Sequence, residues 1–428
     1  MVQIDNILLL AGGDSTRFWP LKEKNLMKYL GKTLIVHQID QLAKKSDRLI
    51  IVAGIHNKEA IEKIVEQQPE ISGCAIEIIL QNEKLEGQGG AVLSAKGKVN
   101  GDVLICNTND IFDYSFIDKL AETKEKKDFI FLAKKVNEYF PGGYVEFDEN
   151  NKIKGIIEKP DPEKVPSDIT KLVVDYFADF EELTSALEKV TTDKDDWYEQ
   201  ALCKIIEKTN NSDYLLYDSY WYTIKYPWHI LDMNNYFLSQ IKQTYIDKSS
   251  LISKNAVLEG MVHIGKNVKI GDFAKIVGPC FIGEGTVIGD FTMIRASHIG
   301  SHSLIGGYSE VTRSYLGERV MLHRNYVGDS VLADDVLMGA GAVTANYRFD
   351  EKMINSMSKD RSRPVPTNRQ KLGAIIGKKT KIGVNNSIYP GIKIGSFCLV
   401  APQGLVDSDV EDNVYLIKGV KKRNELNR

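Results

Sequence analysis

A glycine-rich stretch close to the N-terminus, LLLAGGDSTRFWPL from Leu8 to Leu21, combines residue types that can hold phosphate. Gly12 and Gly13 let the backbone turn sharply and come close to a ligand. Thr16 offers a hydroxyl and Arg17 a fixed fork of N–H donors, and both groups suit phosphate oxygens. A tight turn between a strand and a helix would use the same glycines. The stretch alone therefore predicts either a phosphate-binding loop or a plain turn.

The composition is that of a globular protein without a strong charge. The net charge of −3 gives no basic face of the kind that nucleic-acid binding needs. The five cysteines lie far apart, in no disulfide-like or metal-like spacing, which favours a reducing cytosol. The N-terminus has no basic region with a long apolar run, and no segment reaches about 18 uninterrupted apolar residues. We therefore expect a cytoplasmic protein with no signal peptide, no membrane partner and no nucleic-acid partner.

The elements that must position the loop alternate between strands and helices up to about residue 235. Leu34–Lys44 and Lys58–Glu66 carry apolar residues three or four apart, as amphipathic helices do. Short apolar runs between them predict strands at Ile7–Leu10, Leu49–Ala53, Ile76–Leu80, Val103–Cys106 and Phe129–Leu132. This alternation predicts a parallel sheet covered by helices, with ligands at the carboxyl ends of its strands. The glycine-rich loop falls at such an end.

A different pattern begins near residue 248. An aliphatic residue followed by glycine recurs from Ile264-Gly265 to Ile394-Gly395, often at spacings of six or multiples of six. Such hexapeptide repeats predict a β-helix, with aliphatic side chains pointing inward and glycines helping to round the corners. The segment Arg348 to Lys371 breaks the period and predicts a projecting loop. Trp228–Ile246 predicts a connecting helix.

In this order, the loop, the α/β half and the hexapeptide half resemble the bifunctional sugar-1-phosphate nucleotidyltransferase/acetyltransferase family, in its archaeal-type branch. The stretch LAGGDSTRFWPL is similar to the family signature L-A-[AG]-G-x-G-T-R-x-x-P-L, and Lys24 falls on the signature lysine. The resemblance implies a Rossmann-like α/β nucleotidyltransferase domain over residues 1–235. It also implies a linker helix over 236–247 and a left-handed parallel β-helix, acyltransferase-like, over 248–428.

For the first half, the resemblance implies transfer of a nucleotide from a nucleoside triphosphate to a sugar 1-phosphate, giving a nucleotide sugar and pyrophosphate. Arg17 would clamp the triphosphate and Lys24 would neutralise the α-phosphate. QNEKLEGQGGA (Gln81–Ala91) is similar to the segment that holds the base and ribose. The implied nucleotide contacts are Leu10, Ala11, Gly12, Gly13, Ser15, Thr16, Gln81 and Gly87.

The same resemblance implies a metal and a sugar subsite. Asp110, in NTND, stands at the carboxylate that holds Mg²⁺. Glu158 and Lys159, in IIEKP, match the sugar-contacting pair, and Gly143 matches the glycine that packs near the sugar. One carboxylate is sparse for Mg²⁺, which commonly takes one or two carboxylates plus phosphates and water.

Several positions depart from the family pattern. Ser15 replaces the second loop glycine, and Thr223 stands where a second metal carboxylate is expected. Val173 lies where the family has N-A-G, so the expected hydrogen bonder to a sugar amide is lost. Asn109 and Lys225 replace further glycines. Either the site takes a different sugar phosphate, or it has lost turnover and kept nucleotide binding.

The second half resembles the acetyltransferase domain in HRNYVGDSVL, GAGAVTANYRFDEK and the last coils that line the acyl-CoA groove. This implies acetyl-CoA as a co-substrate, and His323 as the base that deprotonates an attacking amine. Tyr326 and Asn346 would orient an amino-sugar phosphate, and Lys352 would meet its phosphate.

Plainer interpretations stay open for several of these residues. Asp110 could cap the helix that comes after it, and Glu158 with Lys159 could be a surface pair. His323 could be a coil-surface histidine without a task. His298 and His302 are predicted as surface residues and not as metal ligands.

Three functions remain open: a nucleotidyltransferase with or without the second activity, an acetyltransferase with a degenerate first domain, or a non-catalytic nucleotide-sugar sensor. The β-helix is expected to form a homotrimer, or a pair of trimers, through residues 250–400, because a monomer rarely leaves large apolar patches uncovered. The candidate exposed aromatic positions are Phe273, Phe281, Phe291, Tyr308, Tyr315 and Tyr389.

Overall fold

A computed structural model of the chain describes residues 4–68, 73–123, 127–140, 142–193, 196–359, 362–417 and 419–423. The chain divides into two compact units. The first comprises Met1–Asp14 and Leu34–Tyr222, and the second comprises Ser15–Thr33 and Thr223–Arg428. The expected first domain, residues 1–235, contains Ser15–Thr33, whereas the structure assigns these residues to the second unit. No helix in the described ranges is long and apolar enough to cross a membrane.

Up to Ser239 the chain alternates between strands and helices. The strands are β1 Asn6–Ala11, β2 Lys28–Tyr29, β3 Lys32–Thr33, β4 Arg48–Ala53, β5 Ala75–Leu80, β6 Val103–Asn107, β7 Asp110–Phe112, β8 Phe129–Lys135, β9 Gly143–Phe147, β10 Ile153–Glu158, β11 Ile169–Phe177, β12 Ser212–Leu216 and β13 Trp221–Thr223. The helices are α1 Leu34–Leu42, α2 Lys58–Glu66, α3 Gly87–Leu93, α4 Ser115–Thr123, α5 Phe180–Glu188, α6 Trp197–Thr209 and α7 His229–Ser239.

The first unit is built on a mixed sheet of nine strands within the described residues. Strands β6, β1, β4 and β5 lie side by side and parallel, as their apolar runs predict. The prediction of a purely parallel sheet is wrong for β8, which holds the run Phe129–Leu132 and pairs antiparallel with β11. Strands β9 and β10 are consecutive and pair antiparallel, as a direct reversal of the chain produces. Strand β11 runs antiparallel to β6, β8 and β9.

The second unit is a β-helix whose short strands form three parallel sheets, called here the first, second and third faces. The first face contains Tyr245–Ile246, Val262–Ile264, Cys280–Ile282, His298–Ile299, Tyr315–Leu316, Val331–Leu332, Ile375–Ile376 and Lys393–Ile394. The second contains Leu251–Ile252, Lys269–Ile270, Val287–Ile288, Leu304–Ile305, Met321–Leu322, Leu337–Met338, Lys381–Ile382, Leu399–Val400, Val414–Ile417 and, antiparallel at its end, Val420–Arg423. The third contains Val257–Glu259, Lys275–Val277, Met293–Arg295, Glu310–Thr312, Tyr326–Gly328, Val343–Thr344, Ser387–Ile388 and Leu405–Val406.

The inward aliphatic column is confirmed. Ile282, Ile299 and Leu316 pair in register on successive coils and are fully buried. The glycines permit this stacking by close approach. A Cβ atom on Gly300 would lie 2.4 Å from the carbonyl carbon of Gly317, on the next coil. A side chain at that position would push the two coils apart.

The insertion in the repeat is an ordered hairpin. Strands Ile354–Met357 and Pro364–Arg369 pair antiparallel, where the sequence predicts only a loop. Arg369 forms an ion pair with Asp232 on α7, so this hairpin is tied to the helix that precedes the β-helix.

The predicted linker helix over 236–247 is wrong in its second half. Helix α7 ends at Ser239, and Tyr245 and Ile246 already form the opening strand of the first face. These two residues pair with His263 and Ile264 of the next coil, and pairing within the β-helix overrides the helical pattern.

Aromatic rings stack along the first face, one from each coil, with centroids 4.8 to 5.1 Å apart. We call this row the face ladder; its members are Tyr245, His263, Phe281, His298 and Tyr315. A second row, the turn ladder, lies at a corner of the prism, with ring centroids 5.1 and 5.0 Å apart. Its members are Phe273, Phe291 and Tyr308.

Part of the face ladder is covered by residues Ser15–Thr33, which we call the signature segment. The Tyr315 hydroxyl donates a hydrogen bond to the Lys28 carbonyl oxygen at 2.9 Å, and the Tyr29 ring lies 5.7 Å from the Tyr315 ring. Phe281, His298 and Tyr315 are therefore buried, at 5%, 2% and 2% exposure, and their predicted placement on the surface is wrong. His302 is exposed, as predicted.

Candidate functional site

Buried polar side chains hold together the carboxyl ends of β1, β4 and β6. The Asn57 amide donates to the Ala11 carbonyl at 2.9 Å, and its oxygen accepts from the Gly54 N–H. The Thr108 hydroxyl donates to the Leu10 carbonyl at 2.9 Å. Leu10 and Ala11, two predicted nucleotide contacts, are thereby fixed as the buried end of β1. Sequence reasoning missed Asn57 and Thr108, whose only signal is a polar residue just after an apolar run.

The glycine-rich loop and the segment after β5 meet at this edge of the sheet. A Cβ atom on Gly12 would lie 2.0 Å from Gln81 Oε1, so the Gln81 amide packs directly on the loop backbone. The Gln81 Nε2 donates to the Leu85 carbonyl at 2.9 Å, which orients the amide. Gly87 has a φ of +69° where α3 begins, a conformation that favours glycine. Gly13 faces open space. The structure thus brings Gly12 and Gln81 together from separate motifs.

Asp110 begins β7, directly after the turn that ends β6, and is 5% exposed. Its backbone carbonyl and that of Asn107 both accept hydrogen bonds from the buried Gln38 amide, at 2.7 and 2.9 Å. The interpretation of Asp110 as a helix cap is wrong, because α4 begins at Ser115, whose N–H bonds to Asp113. Gln38, on α1, is another positioning residue that the sequence did not reveal.

The donor set around Asp110 fits only one kind of metal site. Within the described ranges no group of three or more His, Cys, Asp or Glu side chains could hold a metal ion. Mg²⁺ does not need such a cage, because it commonly takes one or two carboxylates and completes its shell with substrate phosphates and water. Asp110 is suited to a metal that arrives with a phosphorylated substrate.

Two of the predicted sugar-contacting residues, Glu158 and Lys159, line a cleft, and Gly143 lies beside one of them. Gly143 pairs with Glu158 across β9 and β10, and a Cβ atom on Gly143 would lie 3.3 Å from Glu158 Oε2. The Lys159 ammonium lies 3.0 Å from Glu158 Oε1. Glu158 and Lys159 join Gly87 in the wall of an open cleft of about 690 Å³. The Glu158 side chain is only 15% exposed, which disfavours its interpretation as part of a surface pair.

Beside this cleft, the departure at Val173 coincides with an irregularity in β11. The pairing of β11 with β8 shifts register between Lys171 and Asp175. These two side chains form a buried ion pair at 2.7 Å, and the Tyr198 hydroxyl donates to the same carboxylate at 2.9 Å. Burial raises the pKa of Asp175, and Lys171 opposes that shift. The expected N-A-G position is therefore part of a bulged strand anchored by an ion pair.

Glu199 is a cleft residue that sequence reasoning did not select. It comes directly after Tyr198 on α6 and lies in the cleft wall with Glu158. Burial, together with the smaller effect of the nearby charge of Glu158, raises the pKa of Glu199 to about 7. Near neutral pH its carboxyl group can therefore either donate or accept a hydrogen bond to a ligand.

The remaining residues of the nucleotide motif lie in the second unit. Arg17 is exposed and makes no hydrogen bond or ion pair within the described part of the chain. Ser15 has a φ of +53°, in the left-handed region where the family's glycine is unstrained. Thr16 and Arg17 open a short 3₁₀ turn that the buried Phe18 closes. Lys24 begins a second such turn, Lys24–Leu26.

Thr223 also belongs to the second unit and is partly exposed. Its carbonyl oxygen lies 3.1 Å from the Nδ1 atom of His229, at the start of α7. Burial lowers the pKa of His229 to about 4, so the imidazole is neutral near pH 7. Thr223 contributes a hydroxyl where a carboxylate would add a charge.

The predicted acyl-transfer residues of the second unit fall into two groups. The Asn346 amide donates to the Tyr326 hydroxyl at 3.2 Å and to Asp329 Oδ2 at 2.5 Å. Arg313 holds the same Asp329 through two hydrogen bonds of 2.7 Å each. Tyr326 and Asn346 are thus joined, and Asp329 with Arg313 is the support that the sequence did not identify.

His323 and Lys352 are not joined to that cluster by hydrogen bonds. His323 is exposed, and its backbone N–H donates to Asn325 Oδ1 at 2.5 Å. The His323 side chain makes no hydrogen bond or ion pair with any described residue. Lys352 is exposed on the insertion that carries the hairpin. Both side chains are free to meet a ligand.

Comparison with known proteins finds matches for both halves of the chain. Residues 6–237 match the nucleotidyl transferase family model, and residues 240–354 match the model of the GMPPB C-terminal domain. The bifunctional protein GlmU of Methanococcus maripaludis is 34% identical, covering 97% of this chain and 99% of the relative. The protein of that name from Methanocaldococcus jannaschii is 31% identical, with 98% of each chain covered.

A third relative carries a more explicit name. The bifunctional sugar-1-phosphate nucleotidylyltransferase/acetyltransferase of Sulfurisphaera tokodaii is 32% identical, covering 94% of this chain and 97% of the relative. Identity above 30% along nearly the whole chain, together with the nucleotidyl transferase model over residues 6–237, leaves one assignment. The chain belongs to the bifunctional sugar-1-phosphate nucleotidyltransferase/acetyltransferase family.

Proposed function

We propose that this protein couples a nucleoside triphosphate to a sugar 1-phosphate, giving a nucleotide sugar and pyrophosphate. The observation that carries the proposal is the packing of the Gln81 amide on the Gly12 backbone, at the carboxyl end of β1. A base bound there can be recognised through the amide, while the loop backbone approaches the phosphates. The cleft that contains Glu158 and Lys159 is the corresponding candidate for the sugar.

In the proposed reaction, an oxygen of the sugar phosphate attacks the α-phosphorus and the bond to pyrophosphate breaks. No side-chain nucleophile is required, so the chain must bring two anions together and stabilise their charge. Arg17 binds the triphosphate with its unpaired guanidinium, and Lys24 neutralises charge at the α-phosphate. Mg²⁺, held by Asp110 and by substrate phosphates, would supply further positive charge. Thr223, at the second metal position, provides only a neutral oxygen.

Pyrophosphate release tests this function. The full-length protein would be incubated with Mg²⁺, each of the common nucleoside triphosphates and a panel of sugar 1-phosphates. Arg17→Ala should weaken nucleotide binding by about 1.5–3 kcal/mol, the range for a charge-assisted hydrogen bond. Arg48→Ala is the matched control. Arg48 pairs with Glu77 and lies at the start of β4, whereas the proposed site lies at the carboxyl ends of the strands. No release by the wild-type protein with any combination would refute the proposal.

A second variant tests the metal role of Thr223. Thr223→Asp adds the missing carboxylate, so it should tighten Mg²⁺ binding and raise turnover if the site is short of charge. Lower turnover would instead mean that the site is adapted to the hydroxyl. An unchanged Mg²⁺ dependence would remove Thr223 from the metal site.

We propose acetyl transfer from acetyl-CoA to an amino-sugar phosphate as the second activity. The cluster of Tyr326, Asn346, Asp329 and Arg313 supports it, because it presents polar groups in fixed orientation on one face of the β-helix. In this role the exposed His323 accepts the proton of the attacking amine. Glucosamine 1-phosphate should release free thiol from acetyl-CoA, and His323→Ala should abolish that release while His302→Ala leaves it intact. Nucleotide binding without turnover in either half would instead identify a sensor.

We propose further that the protein is cytoplasmic and assembles as a homotrimer through residues 250–400. Phe273, Phe291, Tyr308 and Tyr389 are each between 48% and 67% exposed, so the β-helix offers apolar surface for such contacts. Light scattering of the full-length protein should give the trimer mass. A stable monomer at micromolar concentration would exclude this assembly.

A further inference from the structure

A cavity of about 430 Å³ lies within the second unit, between the signature segment and the first face of the β-helix. Its segment side includes Lys22, Lys28 and Gly31, and its β-helix side includes His298, Ser301 and Lys378. The volume lies within the range of small-molecule sites, roughly 300–1,000 Å³. None of the single residues predicted to bind nucleotide or sugar phosphate lies in its wall, whereas Lys378 belongs to Gln370–Gly395, the last coils that the resemblance places along the acyl-CoA groove.

Some of the charged side chains around this cavity form ion pairs with one another, and others do not. Lys28 is paired with Glu318 at 2.6 Å, and Glu318 also contacts Arg319. Asp334 accepts a hydrogen bond from the Glu318 N–H at 2.9 Å, and Glu23 is the third acidic residue of the wall.

The two other lysines of the wall differ from these groups. The Lys22 and Lys378 side chains make no hydrogen bond or ion pair with any residue that the structure describes. Both are exposed and come from opposite sides of the cavity. The wall holds three lysines and three acidic residues, and the ammonium groups of Lys22 and Lys378 are the cations left without a hydrogen-bonded partner, so an anion could bind between them.

A second feature points to a ligand with hydroxyl groups. The His298 ring is 2% exposed, and its two faces are covered by the stacked rings of Phe281 and Tyr315. Its Nδ1 lies 3.2 Å from the Leu316 carbonyl, so Nδ1 carries the proton and Nε2 is an acceptor. Nε2 is buried and has no hydrogen-bond partner among the described residues. A buried acceptor left unpaired is unfavourable, and a ligand hydroxyl would satisfy it.

From these two features we infer that the cavity binds a small phosphorylated polyol, the chemical class of the sugar phosphates. Lys22 and Lys378 bind the phosphate, and a hydroxyl of the ligand donates to His298 Nε2. Because Lys22 lies two residues before Lys24, the bound molecule ties the signature segment to the β-helix and acts as an effector of nucleotidyl transfer.

Glucose 6-phosphate is the probe, because its phosphate is not on the anomeric carbon that a sugar 1-phosphate substrate uses. Calorimetry on the full-length protein, without nucleotide, should give saturable binding. Lys378→Gln should raise Kd about tenfold or more through loss of a charge-assisted bond. Lys381→Gln is the matched control, since Lys381 is exposed on the second face and is not in the cavity wall.

His298→Phe should raise Kd by a similar factor while preserving the ring stack, and His263→Phe is its control in the same ladder. Glucose, which lacks the phosphate, should bind at least about tenfold more weakly than the probe. A thermal unfolding curve shows whether His298→Phe is folded; if it is not, Lys378→Gln alone decides, because Lys378 is exposed.

Two results overturn the inference: no binding of glucose 6-phosphate to the wild type, or binding that Lys24→Ala removes and Lys378→Gln leaves intact. Inorganic phosphate that binds as tightly as the probe, without dependence on His298, overturns the role of the hydroxyls. The effector role requires glucose 6-phosphate to shift KM for the triphosphate by about fivefold or more. If glucose 6-phosphate binding depends on Lys378 but the protein shows no nucleotidyl transfer, the proposed function is refuted and the proposed binding site is supported.

Discussion

The two aromatic ladders of the β-helix have the same internal geometry and different surroundings. Ring centroids are 4.8 to 5.1 Å apart in the face ladder and 5.0 to 5.1 Å apart in the turn ladder. Tyr315 in the face ladder is 2% exposed, whereas Tyr308 in the turn ladder is 67% exposed. The repeat determines that one ring stacks on the next coil. The signature segment, which lies outside the repeat, determines which of these rings are buried.

The largest expected effect separates these two tyrosines directly. Tyr315→Ala removes a ring packed under the signature segment and should lower the free energy of unfolding by about 3–5 kcal/mol. Tyr308→Ala removes an exposed ring and should change it by no more than about 0.5 kcal/mol. Urea unfolding of the two variants and the wild type measures both. Equal losses would contradict the difference in burial.

The second effect is a pH dependence of stability to which the covered His298 contributes, as the buried His229 also does. Burial lowers the pKa of His298 from its ordinary 6.5 to about 4. The unfolded chain takes up this proton first, so stability is complete above about pH 6.5 and falls as the pH drops towards 4. The fall should reach at most about 3 kcal/mol, at 1.36 kcal/mol per pKa unit.

Denaturant titrations at pH 7.5 and pH 4.5 measure this dependence. The difference in unfolding free energy between the two pH values should shrink in His298→Phe and remain in His302→Phe, because His302 is exposed. An identical pH difference in wild type and His298→Phe would mean that His298 is not buried in the folded protein.

A smaller effect isolates the hydrogen bond between Tyr315 and the signature segment. Tyr315→Phe keeps the ring and removes the bond to the Lys28 carbonyl, so the loss should be about 0.5–1.5 kcal/mol. Tyr308→Phe should cost nothing measurable, because the Tyr308 hydroxyl makes no hydrogen bond to a described residue. Thermal unfolding of both variants would resolve the difference. A larger loss in Tyr308→Phe would reverse the comparison.

The smallest effect concerns the ion pair at the edge of the covered region. Lys28 and Glu318 lie 2.6 Å apart, with side chains 45% and 22% exposed, so solvent screens their attraction. Lys28→Gln should therefore cost about 0–1 kcal/mol and less at high salt. A loss above about 2 kcal/mol that does not depend on salt would mean that the pair is buried more deeply.

Periodic patterns and continuous apolar runs made the cores of both units predictable from the sequence. The inward position of Ile282, Ile299 and Leu316 results from the six-residue period, and the parallel centre of the sheet results from its apolar strands. The sequence did not predict the burial of Tyr315 and His298. The six-residue period indicates only that a side chain points outward from the β-helix. The residues that cover these rings lie nearly 300 positions earlier in the sequence.

In the candidate site, motifs located residues and the structure supplied their supports. Gly12, Gln81 and Asp110 were each found from a local pattern. Gln38 was not, because one amide on an apolar helix has no periodic signal, although it bonds two carbonyls beside Asp110. Glu199 was missed for a related reason: its raised pKa arises from burial and from Glu158, distant in sequence.

The cover on the face ladder also sets an order of events during synthesis. Lys28 and the tyrosine that bonds to it are 287 residues apart, and ribosomes add about 5–20 residues per second. For about 15–60 s the segment that carries Arg17 and Lys24 is outside the ribosome while its partner surface does not yet exist. Phe18 and Tyr29, both fully buried in the finished protein, are then open to water. The nascent chain should present them to chaperones until the fifth ring of the ladder is made.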